Sequence, residues 1–69
     1  MSNNDRQRIG QRIAQIRTAK GMTQLQLAEA AGLAQSNIAR IEAGRYSTGL
    51  DILAKIGDAL GVTLDYVEE

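Results

Sequence analysis

The sequence predicts an all-α fold, a compact arrangement of five short helices. Three observations lead there: apolar residues recur at helical intervals, glycines fall between those stretches, and no proline occurs in 69 residues. Ile9, Ile13 and Ile16 make the first stripe, at i, i+4 and i+7. Asn4 or Asp5 is placed to cap that helix, and Lys20 followed by Gly21 closes it as a cationic last turn and a terminal glycine. Gly10 reads as a weak point inside it, costing about 1 kcal/mol against Ala.

The second start is sharper. Thr23-Gln24-Leu25-Gln26 fits a capping box, in which the Thr23 hydroxyl and the Gln26 side chain each satisfy a backbone N–H. Leu27, Ala28 and Ala31 form the inward face behind it, and Gly32 ends the helix, with Leu33 as an apolar anchor in the turn. A third helix, about Gln35 to Ala43, turns Ile38 and Ile41 inward and stops at Gly44. The loop from Arg45 to Gly49 leads to a fourth, with Leu50, Leu53, Ile56, Ala59 and Leu60 inward. Thr48 or Gly49 is its N-cap, Asp51 sits near the positive end of its dipole, and Gly61 ends it. Val62 to Val67 reads as a fifth helix capped by Thr63, although a run of six also suits a strand. The 69 residues form one domain with no linker or repeat, and the segment from about 24 to 43 is helix, glycine turn, helix.

Composition narrows the chemistry. There is no Cys and no His, which removes disulfides, thiol chemistry and zinc sites built on those ligands. The carboxylates are spread singly along helical faces and the commonest acid–base side chain is missing, so no enzyme, cofactor or metal is expected. No apolar run approaches the roughly 20 residues of a membrane span, and the N-terminus has no secretory pattern, so the expected location is the cytoplasm. Two tyrosines as the only aromatics argue against base-stacking modules. Eight basic residues balance eight acidic ones, which taken whole points away from nucleic acid. The distribution points the other way. Residues 1–45 hold Arg6, Arg8, Arg12, Arg17, Lys20, Arg40 and Arg45 against Asp5, Glu29 and Glu42, while residues 46–69 hold Lys55 against five carboxylates. That dipole orients the first half toward phosphates.

Several residues at matching spacings then carry a resemblance: Arg17, Gly21, Met22-Thr23-Gln24, Leu27-Ala28, Gly32-Leu33, Gln35-Ser36, Ile38, Ile41-Glu42-Ala43-Gly44 and Ala59-Leu60-Gly61-Val62. The chain resembles helix-turn-helix domains of the phage repressor and Cro type, the Xre-like family, from about Arg6 to Val67. The resemblance implies a sequence-specific double-stranded DNA-binding transcriptional regulator, a repressor of bacterial or phage type. The helix Gln35–Ala43 would enter the major groove. Gln35, Ser36 and Arg40 match the family's base readers; Gln suits adenine and Arg suits guanine, each good pair discriminating by about 1–3 kcal/mol. Asn37 would meet bases or backbone. Gln24, Arg45, Tyr46 and Ser47 match positions that hold the phosphate backbone. Arg17 and Glu42 match a structural ion pair.

Two positions depart from the family. Ala34 stands where Ser or Thr commonly caps the recognition helix, a loss of about 1 kcal/mol, and Leu25 stands where a polar residue is usual. Leu64, Tyr66 and Val67 either complete the core or line the seam of a homodimer, which would set half-sites about 34 Å apart. With no room for a separate ligand-sensing domain, regulation would come through dimerisation, competition or a partner. The alternative reading is a protein-interaction module, antitoxin-like or coactivator-like, whose main partner is another protein.

Overall fold

A computed structural model describes the chain over residues 3–46 and 48–64, with side chains from residue 5 onward. Four helices follow one another: α1 (Asn3–Ala19), α2 (Gln24–Ala31), α3 (Gln35–Glu42) and α4 (Leu50–Leu60). The described residues contain helices and turns and no strand. The fold is all-α, but a fifth helix beginning at Val62 does not form. The Val62 N–H donates back to the Gly57 carbonyl at 2.9 Å, and Gly61 turns into the left-handed region at φ 73°. This closes α4, and Val62 to Leu64 leave as irregular chain. Asp65 to Val67 lie outside the described residues.

The core gathers Ile13 from α1, Leu27, Ala28 and Ala31 from α2, Ile38 and Ile41 from α3, and Leu53, Ile56 and Leu60 from α4. Burying each large aliphatic side chain is worth about 1.5–3 kcal/mol. Ile9, Ile16, Leu33 and Leu64 pack against its margin. Both α1 and α2 lie on α3, and α4 lies on α2. The eight-residue α3 is therefore clasped from two sides.

Local chemistry sets the ends. The Thr23 hydroxyl accepts from the Gln26 N–H at 3.0 Å while the Gln26 side chain accepts from the Thr23 N–H at 2.8 Å, a complete capping box. Gly32 adopts φ 70°, ψ 34°, and the Leu33 N–H returns to the Ala28 carbonyl at 2.9 Å. A side chain at Gly32 would be strained in this left-handed turn, and the turn is what redirects the chain from α2 into α3. Ala34 is the N-cap of α3 and supplies no side-chain hydrogen bond; Gly49 likewise caps α4 through its backbone alone.

Three expectations about details change. The first helix starts at Asn3, so Asn4 and Asp5 lie inside its first turn rather than capping it, and Asp5 pairs with Arg8 at 3.0 Å. Leu50 is 62% exposed instead of inward. It is the first residue of α4, where side chains lean toward the N-terminus and so past the edge of the core. Gly10 is more than a weak point: a Cβ there would overlap the Ile41 carbonyl oxygen and lie 2.9 Å from that of Glu42. Its missing side chain is what lets α1 cross α3 backbone to backbone.

Candidate nucleic-acid interface

One side of α3 is committed to the core by Ile38 and Ile41, which are 0% and 2% exposed. Helical geometry then fixes what the other side displays. Gln35, Ser36 and Arg40 are exposed together on it, with Asn37 half-buried beside them. No acidic side chain lies on that face, because the helix's one carboxylate, Glu42, is turned inward. Just beyond α3, the Arg45 N–H donates to the Arg40 carbonyl at 2.9 Å, which folds the loop back against the helix end. Arg45 and Tyr46 are exposed there; Ser47 lies outside the described residues.

Glu42 is the centre of a polar cluster. Its carboxylate accepts two hydrogen bonds from Arg17, at 2.6 Å from Nε and 2.9 Å from Nη2, and a third at 3.0 Å from the Gln24 side-chain amide. Arg17 also donates to the Met22 carbonyl at 2.8 Å. The side chains of Arg17 and Glu42 keep only 13% and 7% of their exposure. Hydrogen bonding of its guanidinium to the Glu42 carboxylate raises the Arg17 pKa above its ordinary value, against the opposing effect of burial, so the guanidinium stays charged. A fork-to-carboxylate pair of this kind is among the stronger protein hydrogen bonds. It joins α1 to α3, and Gln24 extends it to the first residue of α2.

Most of the singled-out side chains are thus brought to one edge of the molecule: the outer face of α3, the loop after it, and the start of α2. Leu25, 50% exposed, lies at that same helix start. Leu64 packs on the margin of the core at the far end of α4, while Tyr66 and Val67 are outside the described residues. The bond from Gln24 to Glu42 is the element the sequence left unread. The two residues are 18 positions apart, and no local pattern signals their meeting. Among the described residues, no group of His, Cys, Asp and Glu is arranged to hold a metal ion, and no helix is long and apolar enough to cross a membrane.

A helix-turn-helix family model matches residues 13–67, the segment that includes α2, the Gly32 turn and α3. The chain belongs to that family. Among family members, it is 42% identical over 59 residues to the immunity repressor protein of Bacillus phage phi105, covering 86% of this chain and 41% of that one. It is 43% identical over 63 residues to the control protein C.BamHI of Bacillus amyloliquefaciens, covering 90% and 78%. The crystal structure of the restriction-modification controller protein C.AhdI from Aeromonas hydrophila superposes with a TM-score of 0.83 at 36% identity, covering 86% and 89%. The chain therefore spans less than half the phage repressor but most of each controller protein.

Proposed function

We propose that residues 1–69 form one domain of a sequence-specific, double-stranded DNA-binding transcriptional regulator acting as a repressor. The observation that carries this is the exposed face of α3, where Gln35, Ser36 and Arg40 stand clear of the core on a helix fixed from two sides. Gln35 and Arg40 have the donors and acceptors to read adenine and guanine edges in the major groove, with Ser36 beside them. Asn37 meets bases or backbone at the rim. The start of α2 at Gln24, together with Arg45, Tyr46 and Ser47, holds the flanking phosphates. Kinship with a phage immunity repressor and with restriction-modification controllers supports the same reading, and the cytoplasm is where such a regulator works.

The partners proposed are DNA and a second copy of the chain. Leu50 and Leu64 line one shallow groove beside Ala54, Gly57 and Val62, and Leu50 is largely uncovered. Apolar surface of this kind suits a homodimer seam, with Tyr66 and Val67 adjoining it in sequence. The same exposed leucine is what favours the second reading, an antitoxin-like or coactivator-like module with a protein partner. Selection of bound duplexes from random DNA, at stated salt, tests the proposal. Recovery of a shared sequence with two half-sites about 34 Å apart supports a dimeric regulator. No enrichment, together with a stoichiometric protein partner on purification, supports the second reading.

A further inference from the structure

We infer that the Arg6 side chain, in the first turn of α1, is a further phosphate anchor, placed beside Arg45 on the backbone of the duplex. The inference rests on the regulator reading and extends its interface to a helix which that reading leaves out. Arg6, Gly10, Ile13 and Arg17 recur at i, i+4, i+7 and i+11, so they share the face of α1 that lies on α3. The contacts along that face run in order. Gly10 meets the carbonyls of Ile41 and Glu42. One turn earlier, Gln7 packs so closely on Gly44 that a Cβ there would stand 2.8 Å from its Cγ and 3.1 Å from its Cα. Traced toward its N-terminus, α1 therefore passes the end of α3 and reaches the loop that carries Arg45 and Tyr46. Helical side chains lean toward the N-terminus, which directs Arg6 to that loop.

What Arg6 lacks is an anion. Arg17, on the same face, donates to Glu42 and to the Met22 carbonyl, and Asp5 is paired with Arg8. Arg6 is half-buried, its Nε is shut off from solvent without a hydrogen-bond partner, and no carboxylate among the described residues pairs with it. The loop from Arg45 to Gly49 contains no acidic residue that could serve. A phosphate is the anion that a duplex seated on α3 brings to this corner, and the planar guanidinium fork suits two phosphate oxygens. A stem already held against protein also has less freedom to lose when its charge is engaged. Arg6 and Arg45 thus grip neighbouring phosphates, and the hold on the backbone reaches α1.

Salt titrations test this, with affinity measured by fluorescence anisotropy on a duplex the wild-type protein selects from random DNA. Arg6→Met keeps an apolar stem and removes the charge. It is expected to weaken binding about fivefold at about 0.15 M salt and to reduce the slope of log affinity against log salt by about 1, the counterion release of one phosphate contact. Arg12→Met removes the same charge from an exposed position of α1, about a third of a turn away, and is expected to leave the slope unchanged. An unchanged slope in Arg6→Met makes Arg6 a packing residue at the end of α3, and an equal fall in both variants makes the effect one of net charge. Either result overturns the inference and leaves the regulator reading standing. Failure of the wild-type protein to select any duplex overturns both. Should Arg6→Met not fold, nitrogen-15 spectra of the wild type decide. The Arg6 Nε–Hε resonance is expected to shift when the duplex is added, while that of Arg12 stays in place. A stationary Arg6 resonance overturns the assignment.

Discussion

The backbone carbonyl of Ile41 occupies the space where Gly10 would carry a side chain. Helix propensity alone says that alanine at position 10 should stabilise the protein by about 1 kcal/mol. The overlap reverses the sign. Relieving it means separating α1 from α3, and forced overpacking of this kind typically costs about 1–3 kcal/mol. Gly10→Ala is expected to lower the urea midpoint with an unchanged slope; a raised midpoint would show that α1 slides without penalty.

The Arg17–Glu42 pair offers a second test. Removing one partner strands a mostly buried charge, a loss of about 3–5 kcal/mol, whereas replacing both by apolar residues of similar volume is often close to neutral. Arg17→Ala and Glu42→Ala are thus each expected to unfold at much lower urea than Arg17→Met/Glu42→Leu. A double variant as unstable as the worse single one would contradict this account.

At the start of α3, Ala34 already has the extended backbone of an N-cap, at φ −74° and ψ 143°, but lacks an acceptor. Ala34→Ser supplies one without moving the chain. A gain of about 0.5–1 kcal/mol in denaturation is expected. Binding should be unchanged or slightly tighter, since the recognition face is untouched.

Arg40 in α3 and Arg45 in the loop after it separate by the kind of loss they cause. Arg40→Ala is expected to cost about 1–3 kcal/mol on the preferred duplex and little on others, flattening base preference at one position. Arg45→Ala is expected to weaken all duplexes alike and to reduce the slope of log affinity against log salt by about 1. Titrations at several salt concentrations distinguish the two, and identical behaviour would break the division into reader and backbone anchor.

What was legible in the sequence was whatever short-range chemistry decides. The Thr23–Gln26 capping box, the Gly32 turn and the burial of Ile38 and Ile41 are each set by residues within one or two helical turns, and the structure has all three. The exposure of Gln35, Ser36 and Arg40 follows from that burial, so the candidate interface was largely readable as well. What was lost depends on distant parts of the chain. Gly10 meets carbonyls some 30 positions away, and Gln24 reaches Glu42 across 18. Leu50 fits the apolar spacing of α4 but overhangs its end. Of the expected fifth helix, Val62 to Leu64 are irregular chain beyond the Gly61 cap of α4, an ending that hydrophobic spacing does not encode, and Asp65 to Val67 lie outside the described residues.

The helix proposed to read DNA, α3, is eight residues long, well under the roughly 12–15 that an isolated helix needs to be even marginal in water. It borrows its shape from α1 and α2, through the isoleucines beneath it and the carboxylate at its end. The face formed by Gln35, Ser36 and Arg40 therefore exists only while the whole domain is folded. Amide protons in α3 should exchange no faster than the slowest in the chain. Under the proposed regulator reading, heating switches protein molecules off one by one, thinning their number while each survivor keeps its full selectivity.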